Sequence, residues 1–168
     1  MRRPNCIAPL RLPTRSSLAE AIDWIERALA IDPRSAEAQS WLAYVYAFRV
    51  LNQMTDKRAV DIARAEELVA QALAAWHRNP LVHLAKGQVL RMQGRYEEAI
   101  PHFQQAKQFD PNSGLLPGFF LAVIYDLTGR NSAAITEYEE FLKAHPTLQP
   151  RGEIEARLRV LKSRNSRP

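Results

Sequence analysis

Residues 99–111 read AIPHFQQAKQFDP, and the phrase returns along the chain. AIDWIERALAIDP closes at Pro33 and AITEYEEFLKAHP at Pro146, while AEELVAQALAAWH closes at His77 where the others have proline. The four ends lie 44, 34 and 35 residues apart. A period near 34 is what stacked two-helix units produce, and the first interval carries an insertion of about ten residues. Inside the phrases, Ala21 and Ala28, Ala65 and Ala72, and Ala99 and Ala106 stand seven apart, two helical turns, on one face. Four after the first alanine comes a larger apolar residue, Ile25, Val69, Phe103 or Tyr138. The last phrase has Phe141 at the second alanine position, which predicts a loosened or shifted final pair.

The segments between the phrases supply the partner helices. AEAQSWLAYVYAF brings Leu42, Ala43 and Tyr46 together. LVHLAKGQVLRMQG does so for Gly87 and Leu90 and stops at Gly94, and LLPGFFLAVIYDLTG for Leu121, Ala122 and Tyr125, stopping at Gly129. Asn79-Pro80 is a start signal, a capping amide before a proline in the first helical position. Gly87 and Ala99 are predicted to face each other, and Pro101 is predicted to bend its helix.

These residues resemble the tetratricopeptide repeat, whose pattern has a bulky residue, Leu-Gly and Tyr on a first helix, then Ala, Phe, Ala and a closing Pro on a second. Residues 80–111 match best, through Gly87, Leu90, Gly94, Tyr96, Ala99, Phe103, Ala106 and Pro111, with departures at His83, Lys86 and Pro101. The resemblance covers residues 17–146 and implies an all-α superhelix of about three and a half helix pairs plus a carboxy-terminal capping helix. A narrower likeness rests on LAYVYAFRVLNQMTDKRAVDIARAEELVAQAL and KGQVLRMQGRYEEAIP. These look like the repeat region attached to bacterial adenylate and guanylate cyclases, without the catalytic domain.

Expected boundaries follow. Residues 1–16 form a basic leader, disordered or loosely docked, in which Pro4, Pro9 and Pro13 forbid a continuous helix. The repeat domain spans 17–163. It opens with an orphan second helix over 17–33, started by a Ser17–Glu20 capping box, and continues with repeats over 36–77, 80–111 and 114–146. A helix over 152–163, with the stripe Ile154, Leu158 and Leu161, solvates the far end, and 164–168 is a disordered tail. The orphan helix has a second stripe, Ala21, Trp24, Ala28 and Ile31, that invites the leader or a second copy of the chain to cover it.

The 168 residues are 46% hydrophobic and 24% charged, a composition that folds. No apolar run approaches the about 18 residues that span a bilayer. One cysteine, Cys6, excludes an internal disulfide and a cysteine-based zinc site. The formal charge of +5 divides into +4 over 1–16, −3 over 17–150 and +4 over 151–168. An acidic body between basic ends argues against a dedicated nucleic-acid binder. The residues point to a cytoplasmic, bacterial-type protein.

The residues assemble no catalytic constellation, and no cofactor or metal is expected. His77, His83, His102 and His145 fall on different elements without ligand spacing, and Glu66–Glu67, Glu97–Glu98 and Glu139–Glu140 are neighbours about 100° apart around a helix. Trp24, Trp41 and Trp76 read as core residues. By resemblance, the first helices line a concave groove for a peptide or a partner's helix. Its candidate lining is Glu37, Ser40, Tyr44, Ala47, Leu84, Gln88, Arg91, Phe119, Val123 and Asp126, with Arg91 and Asp126 as ionic anchors. Phe48, Val50, Leu51 and Met54 of the insertion offer a cap over the groove or a second partner patch. The reading is a non-enzymatic interaction scaffold. The alternatives are a detached regulatory module acting with a cyclase or transcriptional regulator, and a basic-tailed binder of RNA or anionic surfaces.

Overall fold

The computed structural model describes residues 13–110, 116–147 and 151–165. Among them are eight α-helices: α1 (Arg15–Ile31), α2 (Ala36–Leu51), α3 (Arg58–Ala75), α4 (Pro80–Met92), α5 (Tyr96–Phe109), α6 (Pro117–Leu127), α7 (Asn131–Ala144) and α8 (Arg151–Asn165). They form the antiparallel pairs α2–α3, α4–α5 and α6–α7, with α1 docked on α2 and α8 on α7. The all-helical solenoid expected from the repeat is the architecture observed.

The alanine spacing does its work at the helix crossings. Ala65, Ala72, Ala99, Ala106 and Ala134 are fully buried, so their helices approach closely. The absence of a side chain at Gly87 is filled by an aromatic ring rather than by Ala99. A Cβ built on Gly87 would stand 2.7–2.9 Å from three ring atoms of Phe103, which is itself fully buried. At the last pair, Phe141 does not loosen the contact. It is buried, and its ring meets Phe119 at 5.5 Å and His145 at 4.6 Å.

The punctuation follows chain chemistry. Gly94 and Gly129 take φ of 76° and 74°. The next residue donates back into the finished turn in each case, Arg95 N to Leu90 O at 2.9 Å and Arg130 N to Tyr125 O at 2.8 Å. Asn79 Oδ1 accepts from Leu81 N at 2.9 Å ahead of Pro80. α5 runs on through Pro101, which lies on its exposed side. α1 begins two residues earlier than expected. Thr14 is its cap, and Ser17 returns the hydrogen bond to the Thr14 N–H, so the Ser17–Glu20 box does not form. Most of the expected leader, 1–12, lies outside the described residues, as do 166–168 of the tail, while Arg164 belongs to α8.

The insertion lengthens both helices of the first pair and is pinned by an ion pair. Asp61, 2% exposed, receives both Arg49 Nε, at 2.9 Å, and Arg49 Nη2. The Arg49 guanidinium also lies 5.2 Å from the centre of the Tyr46 ring. Val50 is buried and Leu51 packs on the same core, so these two are structural rather than a partner patch. Trp24 (67% exposed) and Trp76 (45%) are not core residues, because Trp24 lines an open cleft beside α2 and Trp76 sits past the end of α3.

Three substitutions have defined effects on stability. Gly87→Ala should destabilise the protein by about 1–3 kcal/mol despite alanine's better helix propensity, since the new methyl meets a ring that cannot retreat. Gly152→Ala in α8, with open space around it, should be neutral or stabilising by up to about 1 kcal/mol. Urea denaturation of both variants tests this. Arg49→Met leaves the Asp61 carboxylate buried and alone and should cost about 3 kcal/mol or more in the same assay.

Candidate functional site

The inner surface that the resemblance implies falls to α2, α4 and α6, the first helices of the three pairs, and at one end α8 reaches α6 through Arg157. α2 and α4 pack along each other, whereas α4 and α6 make no extended contact and communicate through α5. This difference decides which expected lining residues are reachable. Ser40 and Ala47 are small, and both are fully buried where α2 is crowded by its neighbours. Ser40 Oγ donates to Ala36 O at 2.6 Å, and Ala47 shares a cluster with Ala85 and Val89 of α4. Leu84 is buried with Leu121 and Ile124, and Gln88 is 3% exposed. These four support the surface from beneath and do not line it.

Five of the expected residues remain accessible. Glu37 is exposed in the first turn of α2, beside a shallow cleft that Trp24 and Trp41 share. Tyr44 is half-buried, edge-on to Trp41 with ring centres 6.0 Å apart. Phe119 touches Phe120, Tyr138 and Phe141, and Val123 packs on the same cluster while keeping part of its surface outside. Arg91, half-buried at the end of the central helix, donates through Nη1 to Gln88 Oε1 at 3.1 Å and lies 5.9 Å from the centre of the Phe120 ring. Asp126 is no free anchor. Arg157 of α8 binds both its oxygens, at 2.6 Å each.

The electrostatics follow from this placement. Burial pushes the Tyr44 hydroxyl up, opposed by the charge of Arg91 and by a hydrogen bond with Gln88. Tyr138 is pushed up to about 12, chiefly by burial and then by Asp126. Burial also pulls the Arg91 guanidinium below its ordinary value, and the groups that counter this are Tyr96, Tyr44 and Tyr138, none of them a carboxylate.

Three participants leave no local signal in the sequence. Phe120 stacks on Phe103 at 5.6 Å and carries the Arg91 contact. Arg157 reaches across from α8. The third is a histidine pair between α4 and α5, His83 and His102, with rings stacked 5.3 Å apart and Nδ1 atoms 3.0 Å apart. His83 Nε2 lies 2.8 Å from the His77 carbonyl, which can only accept, so Nε2 carries the proton of His83 and His102 Nδ1–H donates to His83 Nδ1.

Residues 58–114 match the family model described as tetratricopeptide repeat. No curated protein sequence matches the chain. The solved structure of Pseudomonas aeruginosa pilF superposes with a TM-score of 0.67 over 90% of this chain at 26% identity. The fold is a tetratricopeptide-repeat solenoid. This chain spans 64% of the pilF chain. A thermophilic TPR protein of Thermus thermophilus superposes with a TM-score of 0.55 at 19% identity, over 87% of this chain and 91% of that one. MamA does so with 0.56 at 17%, over 90% of each. No helix among the described residues of the repeat array is long and apolar enough to cross a membrane.

The histidine pair makes a pH prediction. Burial, then the charges of His83 and Lys86, hold His102 at about 4, below its ordinary 6.5. An unfolded chain therefore binds a proton between pH 6.5 and about 4 that the folded chain refuses. Stability from this group is complete above pH 6.5 and is lost as the pH falls toward 4. His102→Asn, whose amide can still donate to His83, should lessen the dependence of the urea midpoint on pH between 6.5 and 4.

Proposed function

We propose that the chain is a non-enzymatic protein-interaction scaffold that takes a partner's peptide or helix on the inner surface of α2, α4 and α6. The observation that carries this is the division of labour along that surface. Ser40, Ala47, Leu84 and Gln88 are consumed in packing, while the large side chains left half-exposed beside Val123 and the exposed Glu37 are aromatic and cationic: Tyr44, Phe119 and Arg91. Those types dominate binding energy where proteins meet, because a rigid ring or a planar fork buries much area for little lost freedom. The tetratricopeptide match supports the same reading, since that fold generally serves protein–protein recognition. The insertion's likeness to cyclase-attached repeats keeps a second reading beside it, a detached regulatory module acting with a cyclase or a transcriptional regulator.

A photo-reactive amino acid placed at Glu37 or Val123, on the inner surface, should crosslink a partner. The same group at Gln105 or Glu67, exposed on α5 and α3, should not. For a partner so identified, Tyr44→Ala should cost about 2 kcal/mol, roughly thirtyfold in Kd, with the melting curve retained. Equal crosslinking from both sets of positions would overturn the inner-surface assignment.

A further inference from the structure

The inner surface holds a half-buried cation that no carboxylate among the described residues balances. Arg91 stands at its centre, on the middle helix, with its guanidinium half out of water. Its Nε is buried without a hydrogen-bond partner, and its one hydrogen bond to protein goes to the neutral Gln88 amide. Among the described residues no carboxylate lies within ion-pair distance of it. Two other cations near this surface are engaged: Arg157 is committed to Asp126 through two hydrogen bonds, and Arg49 to the buried Asp61. Around Arg91 stand Tyr44, Tyr96, Tyr138 and the Phe120 ring. A half-buried cation among aromatic rings has lost hydration without gaining a counter-charge, and that cost is recovered when an anion arrives.

Resting on the inner-surface reading above, we propose that Arg91 is a receptor for a single carboxylate, the side chain of a glutamate or aspartate within an otherwise apolar partner segment. The anion is a carboxylate rather than a phosphate because one uncommitted guanidinium matches one negative charge, and a phosphate dianion would leave a charge buried. It is a side chain rather than a chain end because reachable surface continues on both sides of Arg91, to Tyr44 on α2 and to Phe119 and Val123 on α6. A segment ending at Arg91 would leave half of that surface uncovered. The planar fork can bind two carboxylate oxygens at once, as Arg157 does within this molecule.

The test uses the full chain and a display library of 12-residue peptides in which a central position is glutamate, glutamine, lysine or phosphoserine and the flanks are drawn from Leu, Phe, Ala and Ser. Selected sequences are measured as fluorescent peptides by anisotropy, against wild type, Tyr44→Ala and Arg91→Met. Methionine keeps the packing of the stem and removes the fork. Expected are peptides that need Tyr44 and whose glutamate form binds about tenfold more tightly than the glutamine form, the difference disappearing in Arg91→Met while glutamine-form binding persists. Peptides that need Tyr44 but do not distinguish glutamate from glutamine overturn this inference and leave the inner-surface reading standing. A phosphoserine form that outbinds glutamate through Arg91 overturns the carboxylate in favour of a phosphate. A selection that yields no Tyr44-dependent peptide overturns both.

Discussion

The ring of Phe103 is the contact on which the middle of the solenoid turns. It occupies the space that Gly87 leaves empty, so α4 and α5 close on each other at a distance no other residue at position 87 would permit. The same ring stacks on Phe120 of α6 and so ties the second pair to the third. One aromatic side chain thus fixes both the spacing within a repeat and the step to the next. A packed interior has few voids to absorb error, and a displacement here would propagate to α4 and α6 together.

The working surface follows from that step. Because α6 reaches α4 by way of α5, the facing sides of α4 and α6 are spanned by side chains rather than by touching backbones. Arg91 and Phe120 occupy the opening. On the other flank, α2 and α4 lie side by side and bury Ala47, Ala85 and Val89 between them. The surface is accordingly sealed on one side and aromatic on the other, and the half-buried Arg91 guanidinium lies where the two regimes meet.

The repeat, the Asn79 cap and the closing glycines were legible in the sequence because each is a local rule written in residue type: alanine two turns apart, Asn before Pro, glycine at φ near 75°. The site was legible only in part. Ser40, Ala47 and Leu84 lie on the same helical faces as Tyr44 and Arg91, and only the distance between neighbouring helices decides which of them water can reach. That distance is a property of the stacked array, not of any one helix. His83 and His102 were missed because they are 19 residues apart and meet only once Gly87 and Phe103 have set the register of α4 against α5. Thr14 and Ser17 are both hydroxyl residues within one turn, and the cap falls to Thr14 while the Ser17 hydroxyl accepts from the Thr14 N–H.

The Asp126–Arg157 pair changes how the end of the array would respond to mechanical load. In a solenoid held only by neighbours, tension on the last helix peels it away first and the rest follows in order. Here α8 is joined to α6 as well as to α7, through two parallel hydrogen bonds that skip one helix. Force entering at the carboxy terminus is therefore shared by three helices at once, and detachment of α8 would expose the carboxylate of Asp126 at the rim of the inner surface.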